Sequence, residues 1–247
     1  MNCPVKDPID QTLANTVIAA LPARARQNLL ADASFVEMQS PGVLACAGTP
    51  MAHAWFPTTG VISVLTPQAH GRTLEIDMIG FESVLDAGCA LGVAAPAFDA
   101  EVQVTGHAWC IETRALAAHM QTSTILRNAL VRRLYLSLAK VGQRSVCSSF
   151  HTLQQQLCRW LLMSQDRSGA PDVLMTHERL ARLLGVRRAG ISTAAGLLQA
   201  AGLIRYLRGH ILVLDRPGLL AGSCECYAQD LATQRALVDA PALRLTG

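Results

Sequence analysis

Residues 176–203 read THERLARLLGVRRAGISTAAGLLQAAGL, and this stretch decides the fold of the C-terminal part of the chain. Thr176 is a preferred N-cap residue and leucines at helical spacing follow it, so we predict a helix over residues 177–184. Gly185 permits the left-handed backbone of a tight corner. A second helix is expected over about residues 187–200, and its predicted buried residues are Ile191, Ala195 and Leu198. The stretch therefore predicts two short helices joined by a tight turn.

The second helix carries two arginines at its start and small side chains on its exposed side. A helix that enters a DNA major groove, which is about 12 Å wide, needs a slim face and long cationic side chains that reach bases or phosphates. Gly190 and Gly196 weaken the helix, so a close approach to another surface is the expected compensation. For Gly196 that surface is either DNA or the first helix. The residues predicted to contact DNA from this helix are Arg187, Arg188, Ala189, Ser192 and Thr193.

Two β-prone runs follow, over residues 203–207 and 210–214, and Arg208 and Gly209 stand between them. A two-residue turn of this kind predicts a hairpin. We expect a two-stranded wing with Arg208 at its tip, where the guanidinium contacts the phosphate backbone. Two helices followed by a wing form a winged helix-turn-helix, so the sequence predicts a DNA-binding domain.

Upstream, residues 123–146 have leucines every three to four positions, which predicts one long amphipathic helix. The apolar stripe is longer than one small domain can cover, so we predict that it pairs with a second copy of the chain. Packing along the flank of the preceding domain is the alternative, and the two can hold for different turns of the helix. The predicted dimerisation residues are Leu126, Leu130, Leu134, Leu138 and Val141.

The region before this helix has the character of a small β-domain. Short β-prone runs separated by turn residues extend from residue 35 to residue 112, which favours a jelly roll or β-roll. The turn at residues 105–107 predicts a hairpin between the last two runs. The six runs are residues 43–46, 53–56, 61–65, 72–78, 101–105 and 107–111.

Composition and charge indicate two domains with different roles. Of the 247 residues, 51% are hydrophobic and 16% are charged, which excludes a disordered chain. Residues 1–122 have 5 basic and 11 acidic side chains, whereas residues 123–216 have 14 basic and 4 acidic ones. The second part is therefore expected to bind a polyanion.

We expect neither a membrane span nor a secretory signal. The longest uncharged stretch, residues 38–71, contains four prolines, which a spanning helix does not tolerate. Lys6 and Asp7 interrupt any apolar run at the N-terminus. The sequence therefore predicts a cytoplasmic protein.

Eight cysteines are scattered along the chain, and Cys224 and Cys226 form the close pair among them. A metal or redox role for this pair requires further ligands, and none is apparent in the sequence. Reduced, buried cysteines are the alternative, which suits a cytosolic chain. We therefore predict no metal site at this pair.

The order of a β-roll, a long helix and a winged helix-turn-helix resembles the Crp/Fnr family of bacterial transcription regulators. The resemblance covers roughly residues 20–228, and four segments carry it: HAWFPTTG at 53–60, LGVRRAGI at 184–191, DRPG at 215–218 and CECY at 224–227. It implies an α+β protein. Its expected parts are a β-roll sensor domain (residues 1–122), a dimerisation helix (123–150), a winged helix-turn-helix domain (151–230) and a C-terminal tail (231–247).

The resemblance also assigns contacts position by position. Arg188 stands where the family places its guanine-reading arginine, and Ala189 and Thr193 stand at two further base-facing positions. The residues at phosphate-contacting positions are Thr176, His177 and Arg208. The expected partners are double-stranded DNA, a second copy of the chain and RNA polymerase. Two recognition helices on one two-fold axis would read a pseudo-palindrome with half-sites about 34 Å apart.

The sensor domain departs from the cyclic-nucleotide-binding members of the family. Gly80 and Glu82 match their Gly-Glu pair, but Asp99 falls in the stretch where an Arg-Ser pair is expected, and its charge would repel a phosphate. These three residues are our candidates for an effector pocket that does not hold cyclic AMP in the usual way.

No cofactor is expected in the sensor domain. The family's oxygen sensors hold an iron–sulfur cluster through grouped N-terminal cysteines, whereas Cys3 stands alone here with Cys46 far behind it. The histidines that a haem could use are isolated from one another, and they are His53, His70 and His107.

Three interpretations of function stay open. The first is a homodimeric, sequence-specific DNA-binding regulator whose β-roll biases the geometry of the two recognition helices, and a regulator gated by a small molecule other than cyclic AMP is its alternative. In the second, the β-roll only docks a protein or shapes the dimer. The third, from a different class, is a cupin-type metal enzyme, which needs clustered histidines and glutamates on adjacent strands. No His-x-His pattern occurs in the chain.

Overall fold

The computed structural model describes residues 14–69, 72–170 and 172–239. Cys3 and His70 lie outside these residues. Two short helices, α1 (Thr16–Ala19) and α2 (Ala23–Ala31), precede the strands of the N-terminal domain. None of the helices within the described ranges is long and apolar enough to cross a membrane. The strands are β1 (Ala33–Met38), β2 (Gly42–Ala45), β3 (His53–Pro57), β4 (Val61–Pro67), β5 (Thr73–Ile79), β6 (Asp99–Val104) and β7 (Gly106–Glu112).

The seven strands form two antiparallel sheets, in the orders β1-β7-β3 and β2-β6-β4-β5. Their buried faces enclose a core that contains Ile62 and Leu85, and a 3₁₀ helix over Ala87–Leu91 packs in a neighbouring cluster. The predicted β-roll and the α+β class are confirmed. Strand β1 is additional to the six predicted runs, because Met38 is the one fully buried side chain in it and the alternation is weak.

The hairpin predicted at residues 105–107 is wrong. β6 pairs with β2 and β4, whereas β7 pairs with β1 and β3, so consecutive strands belong to different sheets. The chain crosses between the sheets at Gly106, where a Cβ would overlap the backbone of Thr59 and Gly60. Close backbone approach, and not a tight turn, requires this glycine.

β7 leads into α3 (Thr113–Thr122) and then into the long α4 (Thr124–Phe150), which confirms the predicted long helix. Its leucine stripe divides into two parts. Leu126 and Leu130 are fully buried in the core of the sensor domain, so they are not available to a partner chain and their assignment to the dimerisation surface is corrected. Leu134 packs partly against the same cluster, whereas Leu138 is 68% exposed. The first turns of α4 therefore pack on the sensor domain.

The C-terminal domain begins after His151, with α5 capped by Thr152 and Gln155 in a capping box. β8 joins β10 and β9 in a three-stranded sheet, so the wing has one strand more than predicted. The last helix, α9, runs through residue 230, where the tail is predicted to start. The elements are α5 (Leu153–Ser168), β8 (Asp172–Leu174), α6 (His177–Leu184), α7 (Arg188–Ala200), β9 (Ile204–Leu207), β10 (His210–Val213), α8 (Arg216–Gly222) and α9 (Cys226–Asp239).

The two domains share one hydrophobic cluster. Leu65 and Met78 of the roll pack in the same core as Leu161 of α5. At the edge of this contact, an Nη of Arg179 donates to the carbonyl of Val102 at 2.9 Å. The helix-turn-helix is therefore held against the β2-β6-β4-β5 sheet by packing and by hydrogen bonds.

Candidate nucleic-acid interface

Helix α6 begins and ends where the sequence predicts. The Thr176 hydroxyl accepts a hydrogen bond from the backbone N–H of Arg179 at 3.1 Å, which caps the first turn. Gly185 ends the helix with a φ of 70°, and this left-handed backbone produces the corner into α7. The Leu74 side chain of β5 would meet a Cβ at this glycine at 2.8 Å, so the corner also lies close to the sensor sheet.

Helix α7 presents the face that the sequence predicts. Ile191, Ala195 and Leu198 are buried, and Arg187 is the N-cap residue. The other side is exposed and small, and Gly196 has open space where a Cβ would stand, so packing against α6 does not account for this glycine. The exposed residues include Arg187, Arg188, Ala189, Ser192, Thr193 and Gly196.

The side chain of Arg188 extends into solvent at the start of α7. Its Nε lies 4.0 Å from a carboxylate oxygen of Glu178, and the two side chains are 70% and 77% exposed. An exposed ion pair at that distance contributes little, since water and salt screen it. Arg188 can therefore give up its contact with Glu178 and bind a base edge or a phosphate.

His177 is more enclosed than a simple phosphate ligand would be. Its Nδ1 lies 3.0 Å from the Ser192 hydroxyl, and its ring stacks on Tyr206 with 4.0 Å between centroids. Burial, together with the nearby charge of Arg188, lowers the pKa of the imidazole. His177 therefore joins α6 to α7 and to the wing as a neutral ring at neutral pH.

The wing tip lies beside the start of α6. Arg208 and Gly209 both have positive φ, 50° and 82°, which is the backbone of a two-residue hairpin turn. The Met175 N–H donates to the Gly209 carbonyl at 2.6 Å, and the methyl of Thr176 lies 3.5 Å from where a Gly209 Cβ would stand. Two predicted phosphate contacts, Thr176 and the exposed Arg208, are thus neighbours.

The sequence interpretation missed two arginines near this surface. Arg72 of the sensor domain helps to line a groove of about 1040 Å³ that opens beside Arg187 and Arg188. Arg205 lies on β9, next to the wing tip, in a second groove that includes Arg208. Arg205 and Leu207 are two residues apart and lie on the same exposed face of the strand, and that spacing was the available signal. Arg72 is brought in by the domain contact, which no local pattern reveals.

The effector candidates do not meet in one pocket. Glu82 is buried, and its Oε1 accepts from Arg167 Nε at 2.8 Å while Lys140 Nζ lies at 3.6 Å. Burial alone would raise the pKa of this carboxyl, but the two cations outweigh it and lower the pKa. A Cβ on Gly80 would lie 2.8 Å from two carbons of Arg167. The α5 side chain therefore fills the space beside the Gly-Glu pair.

Asp99 lies elsewhere in the sheet. It pairs with Leu65 of β4. Gly80 follows Ile79, and Ile79 pairs with Ile62, three residues away from Leu65 on the same strand. Its carboxylate accepts a hydrogen bond from the N–H of Ala47 at 2.8 Å. Asp99 thus closes a loop of the roll.

The expectation that Cys224 and Cys226 lack further ligands is wrong. The end of α4 brings Cys147 and His151 to them, and the four ligand atoms lie within 4.8 Å of one another. Cys147 and His151 are one helical turn apart, and this spacing was the sequence signal. Nothing local connects it to a pair of cysteines more than 70 residues later.

Residues 155–221 match the family model of the Crp-like helix-turn-helix domain. Curated protein sequences give no significant match to the chain.

Solved structures share the architecture of most of the chain. A regulator from Eubacterium rectale assigned to the Crp/Fnr family aligns with a TM-score of 0.66 and 16% identity over 84% of this chain and 97% of that one. FixK2 from Bradyrhizobium japonicum aligns at 0.65 and 14% identity, over 78% and 98% of the two chains. The c-di-GMP-responsive regulator CLP of Xanthomonas campestris aligns at 0.64 and 16% identity, over 78% and 100%.

At these identities the structural matches establish the fold, and the domain match establishes the kind of helix-turn-helix. The predicted helix-turn-helix domain and the predicted fold are confirmed. Residues 155–221 thus form a Crp-like helix-turn-helix domain, and the chain has the fold of Crp/Fnr regulators, as the resemblance predicts.

Proposed function

We propose that the chain acts as a homodimer that reads a pseudo-palindromic DNA site through α7. The observation that carries the proposal is the exposed small face of α7 with two arginines at its start. In this assignment Arg188 reads a guanine, Ala189, Ser192 and Thr193 face neighbouring bases, and Arg187 contacts a base or a phosphate. RNA polymerase is the further partner and the cytoplasm the compartment of such a regulator.

Phosphate contacts flank this reading face. Thr176 and His177 lie at the N-terminus of α6, where unpaired backbone N–H groups and the helix dipole favour an anion. Arg208 lies beside them at the wing tip. Because these groups touch only the phosphates of the DNA, they orient the protein on the duplex, and α7 supplies the sequence preference.

The dimer forms along the exposed stripe of α4. Its large apolar side chains stay uncovered within one chain, with Tyr135 60%, Leu138 68% and Phe150 79% exposed. A continuous apolar stripe of this length on a charged helix is typical of a helix-pairing surface. The proposed dimerisation surface is Val131, Tyr135, Leu138, Val146 and Phe150, with Leu134 and Val141 at its edges.

The sensor domain does not hold a cyclic nucleotide in the usual way. The Glu82 carboxylate is already bonded to Arg167, and the same side chain closes the space over Gly80. A ribose would have to displace a buried ion pair. CLP of Xanthomonas campestris is described as responsive to c-di-GMP, so calorimetry should include that dinucleotide with cyclic AMP and cyclic GMP, and we expect no binding of cyclic AMP.

The decisive assay measures fluorescence anisotropy on duplexes selected from random sequence. Arg188→Ala should lose about 1–3 kcal/mol of preference for the selected site over a site mutated at the guanine. Arg208→Ala should weaken both duplexes equally and reduce the salt slope by about one. Arg235→Ala, an exposed arginine on α9, is the matched control. Identical behaviour of the Arg188 and Arg208 variants would contradict the assigned roles.

A further inference from the structure

The hinge between the sensor and the DNA-binding domain contains four ligand-type side chains. Cys147 and His151 come from the last turn and the C-cap of α4, and Cys224 and Cys226 from the junction of α8 and α9. Their sulfur and nitrogen atoms all lie within 4.8 Å of one another. Segments more than 70 residues apart in sequence thus place three thiols and an imidazole around one point.

We propose that Cys147, His151, Cys224 and Cys226 bind one Zn²⁺ ion as a structural Cys₃His site. Thiolates and imidazole in a tetrahedral set are the ligands that zinc prefers, and four protein ligands leave no open position for catalysis. Zinc binding would displace the three thiol protons to solvent and use the unprotonated imidazole nitrogen.

The spacings fit a single tetrahedral ion. At Zn–S and Zn–N lengths of about 2.3 and 2.05 Å, a tetrahedron has S–S edges of about 3.8 Å and S–N edges of about 3.6 Å. The Sγ atoms of Cys147 and Cys224 are 3.6 Å apart, and Cys226 Sγ lies 3.5 Å from His151 Nδ1. An iron–sulfur cluster spreads its ligands over two or more irons, which requires wider separations.

The surroundings of His151 support the assignment. Its Nδ1 points to the thiols, while its Nε2 lies 3.2 Å from the Glu225 carboxylate. A metal-bound histidine commonly donates its other N–H to a carboxylate, which fixes the tautomer and the ring orientation. Glu225 stands between Cys224 and Cys226 in sequence, and through its contact with the imidazole it is a positioning residue for His151.

The site is shielded from solvent and lies at the junction of α4 and α5. Cys147 and Cys226 are fully buried, Cys224 is 4% exposed, and the side chain of His151 is 11% exposed. The ion would fasten the end of α4 to the start of α9, across the point where α4 ends and α5 begins. It would therefore fix the direction in which the DNA-binding domain leaves the long helix.

The test uses the full-length chain isolated under reducing conditions without chelator. We expect about one zinc per chain by elemental analysis, and Co²⁺ substitution should give the visible absorption of a tetrahedral thiolate site. His151→Ala and Cys226→Ser should lose the zinc and the cobalt spectrum. Cys110→Ser, a cysteine of the sensor domain, is the matched control and should retain both.

A variant that keeps every ligand guards against simple misfolding. Glu225→Gln should fold and weaken zinc affinity by about 10–100-fold in competition with a chelator. A chain without zinc that gives no cobalt spectrum overturns the proposal. So does a Cys147–Cys224 disulfide in the reduced preparation, or iron with inorganic sulfide in place of zinc. DNA affinity does not enter this test, so its failure leaves the proposed function standing.

Discussion

Arg167→Met breaks the buried ion pair that joins the DNA-binding domain to the sensor domain. Arg167 Nε donates to Glu82 at 2.8 Å and to the Met78 carbonyl at 3.1 Å, and its Nη1 donates to the Met163 carbonyl at 3.0 Å. The side chains of Arg167 and Glu82 are 8% and 3% exposed, so solvent cannot replace the lost partner. Methionine keeps the apolar length of the arginine and removes its charge.

The expected loss follows from the charge left behind. Removing one partner of a buried ion pair costs about 3–5 kcal/mol, because the other charge stays buried without compensation. Lys140 remains 3.6 Å from Glu82, so the loss should lie near 3 kcal/mol. Total stabilities are about 5–15 kcal/mol, so urea unfolding followed by circular dichroism resolves the change.

The sign of the pH dependence is specific to this carboxyl. In the native protein the two cations lower the pKa of Glu82, so its stabilisation is present above the unfolded value, about 4.3, and is lost as the pH falls through the folded value. In Arg167→Met, burial dominates and raises the pKa. The variant then protonates Glu82 at moderate acidity, and its deficit relative to the native protein should shrink between pH 7.5 and pH 4.5.

Two further variants make the reasoning refutable. Arg235→Met removes an exposed arginine and should change stability by less than about 0.5 kcal/mol. Combining Arg167→Met with Glu82→Gln should cost less than the sum of the single changes, because the two side chains interact. Two results would refute the stabilising role of this ion pair between the domains. One is a loss of unfolding free energy for Arg167→Met no larger than that of Arg235→Met, and the other is additive effects of Arg167→Met and Glu82→Gln.

Three other outcomes are expected. Gly196→Ala should raise the free energy of unfolding by about 0.5–1 kcal/mol, because its Cβ meets open space in α7, yet it should weaken duplex binding; unchanged anisotropy would contradict a close approach to DNA. Burial raises the pKa of Asp86 to about 6, so its contribution to stability is complete below about 3.9 and is lost as the pH rises through about 6. Asp86→Asn, which tolerates the φ of 75° at this position, should therefore flatten the fall in melting temperature between pH 4 and pH 7, and an unaltered profile would count against this origin. Leu138→Asp should convert a dimer to a folded monomer in sedimentation, and a dimer that persists would place the interface elsewhere.

The sequence by itself determined the helix-turn-helix almost completely. The N-cap Thr176, the corner at Gly185 and the apolar spacing of α7 act over a few residues, so the printed sequence contains all that these elements need. The long helix was predicted for the same reason. The exposed arginines of α7 and of the wing tip also follow from local periodicity and turn chemistry.

The tertiary structure decided the contacts between residues that are distant in sequence. Whether β6 pairs with β7 depends on the sheet that each strand joins, and whether a leucine of α4 is covered depends on where the sensor domain ends. Glu82 and Arg167 meet although 85 residues separate them, and Cys147 meets Cys224 across 77. Periodicity reports which side of an element is buried, but it does not report which other segment covers that side, because that choice is made by the packing of the whole chain.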